Sequence, residues 1–192
     1  MHRTTIVQYY FDLAGDYNAH ISIPHIATSI WDSVLPTTRQ AEMREMSAAC
    51  FMYAQKLIDM CIVSIPDLEA SFVTSGDAIR RFELSILERP LSVSLRPIDV
   101  LRRHLGDLED ESIRQNALCF FNMSLFLSAP SAEVRAEAAV EAARRFANPQ
   151  IAPSRESALS DAVRACVDKL SSHTSNELGV RFSLLASASL ET

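Results

Sequence analysis

Apolar residues recur every three or four positions through two stretches of the first half of the chain, and a charged residue is flanked by the apolar positions of each stretch. The first stretch, residues 46–59, surrounds Lys56, and the second, residues 79–87, surrounds Glu83. This spacing is that of an apolar helix face. A charge within such a face must reach water or find a partner, because burying it alone is costly. The pattern therefore predicts two helices that each carry a charge beside apolar surface.

Composition favours helix for the rest of the chain as well. Only 4 of the 192 residues are glycine, and tight hairpin turns depend on glycine. Each half of the chain contains one long apolar helical stretch followed by an amphipathic one. We therefore predict an all-α fold of two consecutive helical boxes, residues 1–96 and 97–192, joined by a linker near residues 96–110. With 48% hydrophobic residues, the chain is able to bury a sizeable core.

Local cap signals give further expectations for the first half. Thr37 or Thr38 is predicted to cap the start of the Lys56 helix, and Asp77 the start of the Glu83 helix. His20 and His25 are five residues apart, which does not match one helix face, so both are predicted to lie in loops.

Charge and motif content exclude several classes of function. The net charge of −6 and the pI near 5.4 disfavour nucleic-acid binding, which needs clustered Lys and Arg. The four cysteines form no CxxC pair, so we expect no zinc site and no disulfide framework, only reduced core thiols in an intracellular protein. No phosphate-binding loop, HExxH motif or catalytic triad pattern is present. We therefore expect no enzyme activity, no cofactor and no metal. No apolar run is long enough to span a membrane.

Several stretches of the first half resemble the cyclin box. Residues 53–59 read YAQKLID and residues 82–87 read FELSIL, which are similar to the family's lysine and glutamate signatures. Residues 3–11, RTTIVQYYF, resemble the opening helix of the box, and residues 30–35, IWDSVL, resemble its second helix. Four residues that cyclins share in this box are matched in order by Arg3, Asp32, Lys56 and Glu83. The shared leucine falls at Glu45 or Met46, which is a departure from the family pattern.

The resemblance continues in the second half of the chain. Residues 118–125, LCFFNMSL, are similar to a leucine-rich helix of the second cyclin box, and residues 129–139, APSAEVRAEAA, to the start of the next helix. The resemblance implies two cyclin-like boxes and a regulatory subunit of a cyclin-dependent protein kinase, found in the nucleus, the cytoplasm or both. In that family, the subunit docks beside the kinase αC helix and thereby activates the kinase.

Carried over by position, the resemblance assigns roles to individual residues. The kinase-binding surface would consist of Tyr53, Lys56, Leu57, Glu83, Leu87, Val93 and Leu95. Arg3 and Asp32 would form an internal salt bridge between the first two helices. A degenerate docking patch for kinase substrates would include Ile6, Tyr9, Asp12, Met43 and Arg44.

Two alternatives remain open at the level of the sequence. Lys56 could snorkel and Glu83 could lie at a rim, with the apolar members of the surface belonging to the core. Alternatively, the chain could be a cyclin-fold adaptor for other proteins that activates no kinase. Such a scaffold has no evident need for a charged pair, whereas the kinase interface does.

Overall fold

The computed structural model describes residues 2–58, 60–91, 96–106, 110–127, 131–148 and 160–173. All regular structure in these residues is helical, so the predicted all-α class is confirmed for them. The chain divides into two compact units, Met1–Arg96 and Pro97–Thr192. Within the described residues, no helix combines the length and the apolar content that a bilayer crossing requires.

The described residues of the first unit form five α-helices. They are α1 (Arg3–Asp16), α2 (Ser22–Val34), α3 (Met43–Leu57), α4 (Ile65–Phe72) and α5 (Gly76–Leu87). Helix α3 packs against α2, α4 and α5, and α1 packs against α2. Trp31, Tyr10 and Phe51 are the bulkiest members of a continuous core that all five helices line. The predicted apolar face of residues 46–59 thus lies at the centre of this unit.

The start of α3 differs from the prediction. Two short 3₁₀ turns, Leu35–Thr37 and Gln40–Glu42, separate α2 from α3. The hydroxyls of Thr37 and Thr38 donate to the carbonyl of Val34, at 3.0 and 2.9 Å. Both threonines therefore serve the C-terminus of α2, and the predicted N-cap of α3 is wrong.

The start of α5 is also capped by a different residue. Ser75 is the N-cap, and its hydroxyl accepts a hydrogen bond from the backbone N–H of Ala78 at 3.3 Å. Asp77 lies in the first turn instead, 3.3 Å from the guanidinium of Arg80. A carboxylate in the first turn is still favourable, because it faces the positive end of the helix dipole.

One of the two histidines predicted in loops is part of the core. His20 does lie outside a helix, where its ring Nδ1 accepts a hydrogen bond from the N–H of Ser22 at 3.2 Å. His25 lies in α2, is fully buried, and contacts the ring of Phe11 edge-on at a centroid distance of 6.0 Å. The helix starts ahead of Pro24, which a first turn tolerates because no intrahelical donor is needed there.

Val73 ends α4 in a conformation that a branched residue rarely adopts. Its φ of 52° and ψ of 56° lie in the left-handed region, where a helix end normally has glycine or asparagine. Its side chain is 74% exposed, so little burial compensates the backbone strain. This strain predicts a stabilising substitution.

We expect Val73→Gly to raise the free energy of unfolding by about 0.5–1 kcal/mol. A non-glycine residue in this region costs about 1–2 kcal/mol, and the greater freedom of glycine in the unfolded chain offsets part of the gain. Urea denaturation followed by the fluorescence of Trp31 measures the change in the first unit. Val73→Ala is the matched control, since it keeps the strain. A glycine variant less stable than the parent would contradict the interpretation.

The second unit is built around one alanine-rich helix. Its described residues form α6 (Pro97–Leu105), α7 (Glu111–Ser124), α8 (Ala132–Ala147) and α9 (Asp161–His173). Helix α8 packs against each of the other three. The small residues that it buries are Ala136, Ala138, Ala139, Ala142 and Ala143. Small side chains on several faces let the surrounding helices approach α8 closely.

An exposed ion-pair cluster links α6 to α8 within this unit. Arg103 and His104 lie 2.7 and 3.0 Å from the two carboxylate oxygens of Glu133. The hydrogen bond from His104 and the charge of Arg103 hold the pKa of Glu133 below its ordinary value. Water and salt screen such an exposed cluster, so it contributes little to the stability of the unit.

Candidate protein-interaction site

Lys56 and Glu83 form an ion pair that joins the last turn of α3 to the middle of α5. The Lys56 ammonium lies 2.7 Å from one carboxylate oxygen of Glu83 and 2.8 Å from the other. An ammonium group has three N–H donors. After contacting both oxygens of Glu83, Lys56 retains one donor for another acceptor.

The two partners of this pair differ in their access to water. The side chain of Lys56 is 48% exposed, whereas that of Glu83 is only 10% exposed. Of the two ways in which such a charge is stabilised, Glu83 finds a partner and has little access to water. Because a carboxylate with so little water depends on its partner, Lys56 stabilises the first unit as well as presenting a charge at its surface.

The apolar residues around the pair divide into two groups. Tyr53 and Leu57 are partly buried and pack against the core of the first unit. Leu84 and Leu87 are 62% and 55% exposed, and both follow Glu83 along α5. The sequence prediction included Leu87. It missed Leu84 because Leu84 falls outside the apolar stripe of its helix. Val93 and Leu95 lie outside the described residues.

Gln55, next to Lys56 in the chain, makes a contact that the sequence did not reveal. It is fully buried, and its Oε1 accepts a hydrogen bond from the N–H of Val63 at 2.8 Å. Its Nε2 donates to the carbonyl of the same residue at 3.2 Å. The backbone carbonyl of Gln55 also accepts from the N–H of Met60 at 3.0 Å. One residue thus holds two backbone positions, Met60 and Val63, of the segment between α3 and α4.

Arg3 and Asp32 form a two-pronged salt bridge between α1 and α2. The Nε and Nη2 atoms of Arg3 each lie 2.7 Å from one carboxylate oxygen of Asp32. The two side chains are 21% and 25% exposed, so water screens the pair only in part. The predicted contact is present, and its importance for stability stays a prediction.

Residues of the predicted substrate-docking patch differ widely in their access to solvent. Ile6 is fully buried, so it belongs to the core and is not available to a docking substrate. Tyr9 is exposed and contacts the ring of Phe72 at 5.4 Å. Asp12 accepts a hydrogen bond from Gln8 at 2.8 Å. Met43 is partly buried and Arg44 is exposed.

A buried polar contact between α1 and α3 lies deep in the same unit. The Tyr10 hydroxyl donates to the carbonyl of Ser47 and accepts from its side chain, both at 3.0 Å. Burial raises the pKa of Tyr10 well above its ordinary value, and it also raises the pKa of the neighbouring Cys50 thiol. Both groups stay neutral at physiological pH, so they have a structural role.

The cysteines follow the prediction only in part. None of the four forms a disulfide, and Cys50 and Cys166 are buried as expected. Cys61 is exposed, so the prediction of a core thiol is wrong there. Cys119 is half-buried, and desolvation raises its pKa to about 11. Among the described residues, no three His, Cys, Asp or Glu side chains are grouped so that they could hold a metal ion.

No protein family model matches the chain, and no curated protein or solved structure is significantly similar to it. The resemblance to cyclins therefore depends on the sequence motifs alone. The site defined by Lys56, Glu83, Leu84 and Leu87, here called the α3–α5 surface, has the composition of a protein-docking site, with apolar anchors beside fixed polar groups.

Proposed function

We propose that the chain is a cyclin-like regulatory subunit, built from two cyclin-like boxes, that binds and activates a cyclin-dependent protein kinase. The observation that carries the proposal is the Lys56–Glu83 pair at the α3–α5 surface. In the family that the sequence resembles, a lysine and a glutamate at these positions hold the kinase. The exposed leucines beside Glu83 support the proposal, because an exposed apolar strip next to a charged pair suits a protein partner.

The proposed mechanism is a shift in the conformation of the kinase. The free donor of Lys56 would bind a backbone carbonyl of the kinase beside its αC helix, and Leu84 and Leu87 would pack against apolar residues there. Docking would then fix the αC glutamate against the active-site lysine of the kinase. A subunit shifts such an equilibrium only by binding the active conformation more tightly than the inactive one.

Under this proposal the chain supplies no catalytic group and no cofactor, and it does not bind nucleic acid or a membrane. It would act in the nucleus, the cytoplasm or both. Because Ile6 is buried, a docking patch for kinase substrates would be degenerate at most.

The alternative is a cyclin-fold adaptor that binds proteins without activating a kinase. The observation that favours it is the nearly complete burial of Glu83, whose two oxygens are both satisfied by Lys56. An ion pair whose charges are compensated within its own unit needs no external partner. It is therefore able to act only as a structural brace.

Direct binding to a panel of purified cyclin-dependent kinase catalytic subunits tests the proposal. We expect at least one kinase to bind the immobilised protein with a sub-micromolar Kd, and its phosphorylation of a serine-proline peptide to rise on binding. A kinase of another class is the control. Binding without a rise in activity favours the adaptor, and the absence of any binding excludes the kinase partner.

A further inference from the structure

The guanidinium of Arg89, just beyond α5, is held against the hydroxyl of Thr37, just beyond α2. Its Nη1 donates to the Oγ1 of Thr37 at 2.6 Å, although the two residues are 52 positions apart in the chain. Burial raises the pKa of the Cys50 thiol in α3, and the positive charge of Arg89 opposes part of this rise. The guanidinium therefore lies close to α3, between the segments that follow α2 and α5.

Arg89 has an acceptor beside it but no negative charge. It is partly buried, and among the residues that the structure describes no carboxylate oxygen lies within 4.0 Å of its guanidinium. By contrast, Arg3 and Arg145 each contact a carboxylate, at 2.7 and 3.1 Å. Because water screens a partly buried charge less than an exposed one, an anionic group placed at the Thr37 oxygen would be attracted strongly.

The Thr37 hydroxyl is able to carry such a group without harm to its helix. Thr37 is exposed, and the backbone of Thr38 and Arg39 after it is extended, so a modifying enzyme has access to it. A phosphorylated Thr37 no longer donates to the carbonyl of Val34. The Thr38 hydroxyl also donates to that carbonyl, at 2.9 Å, so the C-terminus of α2 keeps a hydrogen-bond donor.

We infer that Thr37 is a phosphorylation site and that Arg89 binds the phosphate. A serine/threonine protein kinase transfers the γ-phosphoryl group of ATP to Oγ1. The hydroxyl proton passes to the catalytic base of the kinase, and the bond to the β-phosphate oxygen breaks to release ADP. The inference does not depend on the proposed function, since the chain is here the substrate of a kinase.

The phosphate would turn a neutral contact into a charged one. It adds about 1.5–2 negative charges and three acceptor oxygens at the atom that Arg89 already contacts. A guanidinium pairs with phosphate through two parallel hydrogen bonds, which are about twice as strong as neutral ones. Phosphorylation therefore fastens the segment after α2 to the segment after α5 and stabilises the first unit.

Phosphothreonine installed at position 37 by genetic-code expansion tests the binding of the phosphate. We expect the Tm reported by Trp31 fluorescence to rise by about 3 °C or more. Phosphothreonine at position 38 is the matched control, because Thr38 shares the hydrogen bond to Val34 and lacks the contact with Arg89. An equal rise at both positions, or no rise at position 37, would overturn the inference.

Arg89→Gln identifies the group that binds the phosphate. The variant keeps a donor for Thr37 and removes the charge, so phosphorylation at position 37 should no longer raise its Tm. We also expect the second pKa of the phosphate, followed by ³¹P NMR, to be at least about 0.5 pH unit lower in the parent than in this variant. A merely structural Arg89 leaves that titration unchanged. If Arg89→Gln does not fold, the same titration is compared between phosphothreonine at positions 37 and 38 of the parent.

Incubation of the full chain with ATP and a panel of purified serine/threonine kinases tests the modification itself. The panel includes kinases that select a basic residue after the acceptor, since Arg39 lies two positions beyond Thr37. We expect at least one kinase to modify the folded protein, and peptide mass spectrometry to place the phosphate on Thr37 rather than Thr38. The absence of phosphate at Thr37 with every kinase would show that it is not a phosphorylation site.

Discussion

Lys56→Ala is expected to weaken kinase binding by about 30-fold or more. The variant removes the free donor from the α3–α5 surface and leaves the nearly buried Glu83 carboxylate without its partner. Truncating one member of a charged pair that a partner desolvates costs roughly 2–5 kcal/mol of affinity, and 1.4 kcal/mol is tenfold in Kd. We also expect a loss of about 1–3 kcal/mol in the free energy of unfolding. Biolayer interferometry with the kinase and a urea melt measure the two effects separately.

A charge exchange distinguishes docking from bracing. The Lys56→Glu/Glu83→Lys variant restores an ion pair within the first unit, so it should recover much of the stability that Lys56→Ala loses. It presents a carboxylate where a partner carbonyl needs a donor, so it should not recover binding. Recovery of both stability and binding would mean that the pair acts only as a brace. In that case the docking role assigned to Lys56 and Glu83 is wrong.

Asp32→Ala is expected to lower the free energy of unfolding by about 1.5–3 kcal/mol. The carboxylate accepts two short hydrogen bonds from Arg3, and both side chains are mostly shielded from water. For a chain of this size, the expected fall in Tm is about 3–12 °C, since 1 kcal/mol corresponds to about 2–4 °C. Fluorescence of the single tryptophan, Trp31, reports this unit because it lies fully buried in the core.

Arg3→Ala completes a double-mutant cycle for this salt bridge. If the two residues act mainly on each other, the double variant should lose clearly less than the sum of the two single losses. Asp32→Asn keeps the size of the side chain and one acceptor, so it should lie between the parent and Asp32→Ala. An unchanged melt for Asp32→Ala would mean that the salt bridge does not hold α1 to α2.

The sequence predicted helices well where apolar spacing was regular and predicted their ends poorly. Thr37 and Thr38 are good cap residues, but the cap rule does not say which of two nearby helices they serve. The 3₁₀ turn Gln40–Glu42, which lies between them and Met43, leaves no clear pattern in the sequence. His25 was misplaced because its five-residue spacing from His20 does not exclude a helix that begins between the two residues, and α2 begins at Ser22.

Residues that depend on distant partners were the hardest to predict. The lysine and glutamate of the candidate site could be identified because their motifs include them. Gln55 occupies a position that the motif leaves variable, and its partner Val63 is eight residues away in a connecting segment. The sequence also could not separate core residues from docking residues. An apolar residue such as Ile6 suits both the interior and a docking surface, and only its burial in the structure tells the two apart.

The alanines buried along α8 make the two units vulnerable to opposite kinds of mutation. In the first unit, a core of large side chains such as Trp31 and Phe51 is damaged when a residue becomes smaller, because a cavity remains. In the second unit, Ala139 and its neighbours have almost no side chain to lose, and a larger residue would push α6, α7 or α9 away from α8. Over evolutionary time the core of the first unit therefore tolerates exchange among bulky residues. The buried alanines of α8 in the second unit can change only to glycine or serine.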